Sequence, residues 1–439
     1  MRSIDLFFYE WKHFSRSPFK IVALLLFTLA GIYGLNSGSK LYENQKSEIT
    51  SINLKVSEKQ EETISYYTKG EKGPKDRSWV DLTTPFWATW YVPTYKFKTP
   101  SPLIVYGIGQ AEQYGFYKQI TIWSSPSDSD MVEEIANPER LQIGTLDFSF
   151  VIIFLLPLLL LILLHNLKSA ETEQGYLMLI NVQARNITSW LFIRTIFYVL
   201  LISIVCLLLM IYGASLTNIL GKHTDGFFQL YAILLLYLLL WTIIYFIVIN
   251  KGKTSAENTL KMIGIWLVLA FVIPGTIHLW VSIKSPTNLM LDLIDAQRDE
   301  FDKISLQPDS VIDRQLYILF PEIELSETAN DSLKKANSKM QSGSALANEL
   351  IKKTIHSIEL ENQQKNDLIR NTYWLNPIAF FQNKFNSISE TSYQDYHQYR
   401  QEIQQSIDRR IKIMVVDIWK DVKVDKKQYL EYSKTLNSQ

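Results

Sequence analysis

The residues of this 439-residue chain that could do chemistry match no catalytic pattern. The run Lys251-Gly252-Lys253-Thr254 ends like a phosphate-binding loop, but that loop also needs a glycine at position 247, where the chain has isoleucine. The run also follows a hydrophobic segment, whereas a phosphate-binding loop follows a strand. The sequence therefore does not predict nucleotide binding by this chain.

The histidines, the cysteine and the acidic pairs form no recognisable site either. None of the six histidines stands in a His-Glu-x-x-His or other zinc spacing, and no Gly-x-Ser-x-Gly nucleophile motif occurs. The lone cysteine, Cys206, lies in an apolar segment, so no intrachain disulfide can form. Acid pairs such as Glu133-Glu134 and Glu171/Glu173 are more typical of a solvated helix face. We expect no catalytic residue, no metal site and no cofactor bound by this chain.

The elements that hold these residues are of two kinds, hydrophobic and polar. Hydrophobic residues make up 47% of the chain and are concentrated in blocks, which indicates an all-α polytopic membrane protein with polar segments attached. A helix of about 20 apolar residues crosses the hydrocarbon core of a bilayer, and five segments approach or exceed that length. The 44 basic and 44 acidic residues cancel, so no net field favours a nucleic-acid partner.

These segments define the predicted organisation and its orientation. The boundaries are an interfacial helix at 1–20, membrane spans at 21–39, 147–167, 191–220, 226–250 and 262–283, loops at 168–190 and 251–261, and polar domains at 40–146 and 284–439. Lys and Arg are abundant in the interfacial helix and in both loops, but not in the turn between the third and fourth spans. The positive-inside rule then makes the N-terminus and both loops cytoplasmic and the polar domains extracytoplasmic. We expect a multi-pass protein of the cytoplasmic (inner) membrane.

The two extracytoplasmic domains are predicted to be mainly helical. In the first, apolar residues between 41 and 56 recur on one helical face, so the first span is expected to continue outward as a helix. In the second, segments 289–301, 332–368 and 393–422 are rich in helix formers. The least polar stretch of the second domain, 374–381, is too short to cross a membrane.

The first 20 residues have the pattern of a helix lying in the membrane interface. Phe7, Trp11 and Phe14 fall at helical spacing on one side, whereas charged residues such as Glu10 lie elsewhere. A cleaved signal peptide is the alternative, but this leader is long and contains acidic residues. We therefore predict an amphipathic helix that leads into the first span.

The loop between the second and third spans carries the most informative motif. It reads Glu171-Thr172-Glu173-Gln174-Gly175, followed by Tyr176-Leu177-Met178-Leu179-Ile180. On the residues alone this is an ordinary helix start, since acids near a helix N-terminus interact favourably with its dipole. The element also resembles the intracellular loop of type-2 ABC transporter permeases, where a Glu-x-Glu-x-Gly-Thr-Leu pattern forms a coupling helix against the ATPase. The N-terminal interfacial helix likewise resembles the elbow helix of that family.

The resemblance implies a function, partners and a set of site residues. It implies an exporter permease that dimerises with a second copy or a paralogue and is driven by a separate ABC ATPase, which binds the ATP and Mg²⁺. The residues carried over to ATPase coupling are Glu171, Glu173, Gly175, Tyr176, Leu177 and Ile180. A helix at 173–182 would insert the three apolar members into a groove of the ATPase and leave the two acids at its rim. The chain departs from the family at Tyr176, where threonine is usual, and at Gln183-Ala184, where Gln-Pro is common.

The cargo and two rival functions complete the expectations. The family has six spans, so a sixth helix is expected beyond Gln439. The spans contain almost no ionisable residue, which favours a lipophilic or amphiphilic cargo over an ion. A mechanotransmission or membrane-assembly protein would use the same loop to move its outer domains without translocating a substrate. A membrane enzyme is the third possibility, and the missing catalytic patterns argue against it.

Overall fold

The computed structural model describes residues 3–126, 146–184, 186–221, 223–284 and 307–438, and it is dominated by helices. Five helices are long and apolar enough to cross a membrane, so the predicted all-α polytopic membrane fold is confirmed. The acidic pair Glu133-Glu134 and the predicted helix at 289–301 lie outside the described residues. In chain order the helices are α1 (Ser3–Ser15), α2 (Pro18–Lys69), α3 (Pro85–Trp90), α4 (Phe148–Glu173), α5 (Leu177–Gln183), α6 (Ile187–Thr217), α7 (Thr224–Lys251), α8 (Ser255–Lys284), α9 (Asp309–Leu319), α10 (Glu327–Asn330), α11 (Ser332–Gln341), α12 (Gly343–Asn371), α13 (Pro377–Ile388), α14 (Tyr393–Trp419) and α15 (Lys426–Asn437).

A small amount of other structure connects these helices. Two strands, β1 (Tyr95–Phe97) and β2 (Tyr117–Gln119), form an antiparallel pair with Lys96 opposite Lys118. Short 3₁₀ turns follow the same part of the chain, and one of them, Pro102–Val105, packs against α2. These elements lie between the end of α2 and the start of α4, where they fill the first predicted polar domain.

The first span, α2, is much longer than the predicted segment 21–39. It begins at Pro18, whose ring pre-sets a helical φ in the first turn. It ends at Gly70, whose φ of +68° provides a left-handed C-cap. Its 52 residues extend about 78 Å, more than twice the ~30 Å thickness of a bilayer core. The expected outward continuation is present, and α2 joins the membrane bundle to the polar part of the molecule.

Two of the spans widen immediately before a proline. α4 forms a π turn at Val151–Leu155, just before Pro157, and α8 forms one at Val268–Val272, just before Pro274. Proline has no N–H to donate, and its ring crowds the carbonyl four residues earlier, so a widened turn relieves the clash. For Pro157 that carbonyl belongs to Ile153, and it accepts a hydrogen bond from the Tyr237 hydroxyl at 2.6 Å instead. The proline therefore frees an acceptor that α7 uses.

α4 lies at the centre of the bundle and α8 lies at its edge. In the most apolar stretch of each helix, 67% of the α4 residues are buried but only 11% of the α8 residues. α4 packs against α2, α6, α7 and α8. The approach of α2 depends on glycine, because a Cβ at Gly34 would lie 2.6 Å from the backbone nitrogen of Phe148. Small residues at such crossings allow membrane helices to pack closely.

The connections between the spans lie at two opposite ends of the bundle. α1, α5 and the short loop before α8 lie at one end, which we call the α1 end. The two predicted polar domains lie at the other end, which we call the domain end. There they pack together, since Thr391 donates a hydrogen bond to the Gly107 carbonyl at 2.9 Å and Arg410 donates one to the Thr89 carbonyl at 3.0 Å. Buried apolar residues from both segments also share one core, so the domain end is a single body built from two parts of the chain.

Candidate functional site

A buried ion network joins three elements at the α1 end. Arg194 of α6 is 2% exposed, and its Nε donates to the carboxylate of Glu10 in α1, which is fully buried. Its Nη1 donates to the Leu167 carbonyl at 2.9 Å and to Glu171 Oε1 at 3.2 Å, both near the end of α4. We call Arg194, Glu10, Glu171 and the Leu167 carbonyl the Arg194 network. One guanidinium therefore holds α1, α4 and α6 together.

The energetic weight of this network comes from its burial. Removing two carboxylates and a guanidinium from water costs several kcal/mol per ion, which is offset only when each charge keeps its partner. The guanidinium is also stacked 4.6 Å from the Trp190 ring centre, which adds a cation–π contact. Removing one member of a buried ion pair typically costs about 3–5 kcal/mol. The relative placement of the three elements is thus fixed by one side chain.

A second buried cation, Lys20, ties the start of α2 to the same region. Its Nζ donates to the Leu163 carbonyl at 2.9 Å and to the Tyr198 hydroxyl at 3.2 Å. The Leu163 carbonyl is in the last turn of the apolar part of α4, where helix carbonyls lack partners and the helix dipole favours a cation. Lys20 therefore donates to a carbonyl at the end of the apolar part of α4, on the side of the α1 end.

Glu173 connects the end of α4 to the start of α8. Its Oε1 accepts from the backbone N–H of Ser255 at 2.6 Å, and its Oε2 accepts from the Ser255 hydroxyl at 3.1 Å. The N-terminal N–H groups of a helix lack intrahelical partners, so a carboxylate at this position acts as a cap. Thr254 caps the same helix, since its hydroxyl accepts from the Glu257 N–H. The residues that resembled a phosphate-binding loop therefore form the turn between α7 and α8.

These contacts change the interpretation of the two predicted rim acids. Glu171 and Glu173 were expected at the rim of an ATPase groove, but both carboxylates bind groups of this chain, Arg194 and Ser255. Glu171 is half-buried, whereas Glu173 is exposed. In the structure they act on the loop itself by fixing it to α6 and α8.

The helix in the loop between the second and third spans is shorter than predicted and begins later. A helix at 173–182 was expected, but α4 ends at Glu173 and α5 spans Leu177–Gln183. Gly175 stands between them with a φ of +79°, and no atom lies within 4 Å of the position a Cβ would take. Glycine is therefore needed for the backbone conformation and not for space. The turn at Gly175 sets the direction in which α5 leaves α4.

This turn also decides which residues of α5 face outward. Leu177 and Ile180 are half-buried, and Ile180 packs against the bundle core. Of the three apolar residues predicted to insert into a partner, only Tyr176 is mostly exposed, at 56%. The prediction missed the other outward residues. The exposed apolar surface, which we call the α5 face, consists of Tyr176, Met178 (82%), Leu179 (60%) and Val182 (86%).

α1 packs against the bundle with two of the three predicted aromatic residues. Phe7 and Phe14 contact α6, with ring centres 5.8 Å from Phe197 and 6.3 Å from Tyr198. Trp11 was predicted on the same side, but it is mostly exposed and lies at the edge of that face. Glu10 was predicted to lie away from the aromatic side, and in the structure its carboxylate is fully buried in the network.

The electrostatics of α1 reflect this packing. Burial is the main reason that the pKa of His13 is lowered, and the nearby cation Lys20 lowers it further. His13 is therefore neutral at pH 7 and adds no charge to the network. In the described part of the chain no group of three or more His, Cys, Asp or Glu side chains is placed to hold a metal ion. The α1 end thus combines an exposed apolar surface, the α5 face, with a buried ion network.

Comparisons complete the description of this site. No protein-family model, curated protein or solved structure matches the chain. What the site can do is therefore argued from its own residues.

Proposed function

We propose that this chain is the membrane-spanning permease subunit of an ATP-driven exporter of the type-2 ABC class. The observation that carries the proposal is the α5 face. Four large apolar side chains are exposed at the α1 end, on and just before the helix that follows α4, and the end of α4 is tied to α1, α6 and α8 by the Arg194 network and Glu173. Exposed apolar surface of this kind marks an interaction site.

The partner is a separate ATPase subunit that supplies the ATP and Mg²⁺. A helix of seven residues has little stability alone, so α5 must be held by its surroundings. A force on a rigidly held helix is transmitted to the elements that hold it. A displacement of α5 that moves the end of α4 would therefore reach α1 and α6 through Arg194 and reach α8 through Glu173.

The orientation of the proposal follows from charge. Lys and Arg are concentrated in residues 1–20, 168–194 and 251–261, all at or near the α1 end, and by the positive-inside rule we infer that this end is cytoplasmic. The protein is then a multi-pass component of the cytoplasmic membrane with its domain end outside. A second copy or a paralogue would complete the translocation path, in keeping with the mostly exposed surface of α8.

The docking of the ATPase is tested by placing charge on the α5 face. Met178→Asp and Val182→Asp put a carboxylate where an apolar partner surface would desolvate it, so each should release the ATPase in a pull-down from detergent. Truncation or disruption of an interface anchor typically costs 2 kcal/mol or more. Asn181→Asp is the matched control, because Asn181 is a polar exposed residue of the same helix. Retention of the ATPase and of its stimulated ATP hydrolysis in both face variants would refute the assignment.

A second function is favoured by one observation. α2 runs without interruption from the membrane bundle into the domain end, where Tyr67 packs against Tyr429 of α15 with ring centres 5.3 Å apart. A continuous helix of this length would move the outer body mechanically when the α1 end is displaced. Transport of a labelled amphiphile in sealed proteoliposomes separates the two functions. A mechanotransmission protein would hydrolyse ATP through its partner without accumulating the cargo.

A further inference from the structure

α13 enters the membrane bundle from the domain end and reaches its middle. Three of its side chains, Ile378, Phe381 and Phe385, are buried in the same apolar core as the spanning helices. The Phe381 ring centre lies 4.9 Å from that of Tyr237, which is halfway along the 28-residue α7. α13 also packs against the π turn Val268–Val272, which is midway along α8. α12 and α13 therefore form a hairpin whose second helix, α13, is inserted into the bundle.

The other face of α13 is polar although the helix lies at this depth. Gln382, Asn383, Lys384 and Ser387 are exposed. The turn before the helix is satisfied internally, since Asn376 is buried and its Oδ1 accepts from the Ala379 N–H at 3.1 Å. Polar side chains and non-spanning backbone are tolerated at membrane depth only where they are buried in protein or line a water-filled space. The polar face of α13 therefore needs water beside it.

A cavity of suitable size and chemistry lies on that face. It has a volume of about 720 Å³ and lies between the end of α12, the polar face of α13 and the start of α14. We call it the α13 chamber. Its lining includes Asp367, Arg370, Asn371, Tyr373, Asn383 and Lys384. A polar cavity of this volume holds many water molecules.

The charges of the chamber favour an anion. Arg370 and Asp367 face each other at 3.8 Å and offset one another, whereas Lys384 makes no ion pair with any described residue. The three charged lining residues therefore leave one positive charge. Asn383 donates to the Tyr373 hydroxyl at 2.7 Å, which orients its amide beside Lys384. A phosphate or carboxylate group would receive both a charge and hydrogen bonds here.

An apolar surface adjoins the chamber at the tip of the hairpin. Trp374 is 79% exposed and Leu375 is 45% exposed, and the Tyr373 and Phe380 rings meet edge to face at 5.6 Å. We propose that the α13 chamber binds the anionic headgroup of an amphiphile whose apolar tail lies along Trp374 and Leu375. The ligand class follows from this juxtaposition alone, and only its role as cargo depends on the proposed transport function.

The first test asks whether the polar face of α13 is in water at membrane depth. In a Cys206→Ser background in nanodiscs, Asn383→Cys should react with a charged methanethiosulfonate. Phe381→Cys, whose side chain is buried, and Phe271→Cys, which is exposed at similar depth on the outside of α8, should not react. No reaction at 383, or equal reaction at 271, would overturn the water-filled chamber. These labelling rates do not involve an ATPase, so their outcome tests the chamber independently of the proposed function.

The second test measures the charge of the chamber. The anionic reagent MTSES should modify Asn383→Cys faster than the cationic reagent MTSET at low ionic strength. One charge about 10 Å away changes the local concentration of each ion about twofold, in opposite directions, even in a medium as polar as water. Adding Lys384→Gln should therefore lower the MTSES/MTSET rate ratio about fourfold. An unchanged ratio would contradict the role of Lys384.

The third test identifies the ligand class by protection. In detergent, dihexanoyl phosphatidylglycerol should slow the labelling of Asn383→Cys, dihexanoyl phosphatidylcholine should not, and inorganic phosphate should protect only weakly. Trp374→Ala should reduce protection by the lipid without changing protection by phosphate. Equal protection by phosphate would refute the amphiphile, equal protection by phosphatidylcholine would refute the anion, and no protection would refute the site.

Discussion

Replacing Arg194 with methionine tests the reasoning about the α1 end most directly. The variant keeps most of the side-chain volume but removes the only cation that contacts Glu10 and Glu171 among the described residues. Glu10 is fully buried, so its carboxylate cannot turn to solvent without displacing α1. The variant must hold a charge in a dry site, take up a proton or release α1.

The magnitude follows from these choices. Breaking a buried ion pair typically costs about 3–5 kcal/mol. Keeping a carboxyl group protonated at pH 7, when its ordinary pKa is about 4.3, costs about 3.7 kcal/mol, which falls in the same range. At pH 5 the second cost is only about 1 kcal/mol. Since the folded variant would hold a proton that the unfolded chain lacks, its stability should rise as pH falls from 7 to 5.

The assay is reversible unfolding of the purified protein in mixed micelles with increasing dodecyl sulfate. The tryptophan fluorescence of the chain reports unfolding, and Trp190 contributes to it from the network, where its ring lies 4.6 Å from the Arg194 guanidinium. Arg194→Met should lower the free energy of unfolding by about 3–5 kcal/mol at pH 7, and most of this loss should disappear at pH 5.

The control removes every charge of the network. The triple variant Glu10→Gln, Glu171→Gln, Arg194→Met leaves no stranded ion, and replacing a whole buried ion group by neutral residues is often close to neutral in stability. It should therefore be more stable than Arg194→Met at pH 7. If the single variant costs less than about 1 kcal/mol, or if the triple variant is no better, the network does not hold α1 in place.

Three further predictions concern topology, packing and the domain end. Met340→Cys in α11 should be labelled by an impermeant reagent from outside the cell and Thr172→Cys should not, and labelling at 172 in intact cells would reverse the proposed orientation. Gly34→Ala should lower the melting temperature, because its Cβ would lie 2.6 Å from the backbone of α4, whereas Gly264→Ala, where no atom lies within 4 Å, should not; equal effects would exclude the close crossing. Burial raises the pKa of Asp313, but the hydrogen bonds and charges of two α11 lysines outweigh it, so that this pKa is lowered. Asp313→Asn should therefore destabilise the protein at pH 7. The destabilisation should disappear as the pH falls through the lowered pKa, and melting curves measured at a series of pH values would show this.

The sequence was sufficient to predict the membrane fold but not the partners of its charges. The spans follow from blocks of apolar residues, and their existence depends only on length and composition. Lys20 and Arg194 belong to the basic residues that were counted only for orientation, and Glu10 was placed only by its position away from the aromatic side of α1. Glu10 and Arg194 are 184 positions apart, and no local pattern reports such a contact.

The phase of a short helix was equally difficult to predict. Whether Ile180 or Val182 faces outward depends on where α5 begins, and this is set by the positive φ of Gly175. A continuous helix from Glu173 through Gly175 would give each later residue a different orientation about the helix axis from the one that it has in α5. The insertion of α13 into the bundle was also not predicted. The segment 374–381 was compared with the length of a helix that crosses the whole membrane. A helix that enters the bundle and leaves on the same side can be shorter than that.

The two proposed sites, the α5 face and the α13 chamber, are connected by one helix, α4. At the α1 end its last carbonyls are held by Lys20 and Arg194. Near its other end the Ile153 carbonyl, which Pro157 leaves without a helical donor, is held by Tyr237, the residue on which Phe381 of α13 packs. α4 is also the most enclosed span, so it cannot shift without moving its neighbours. A displacement of the α5 face would therefore act on the α13 chamber through a buried helix that is fixed at both ends.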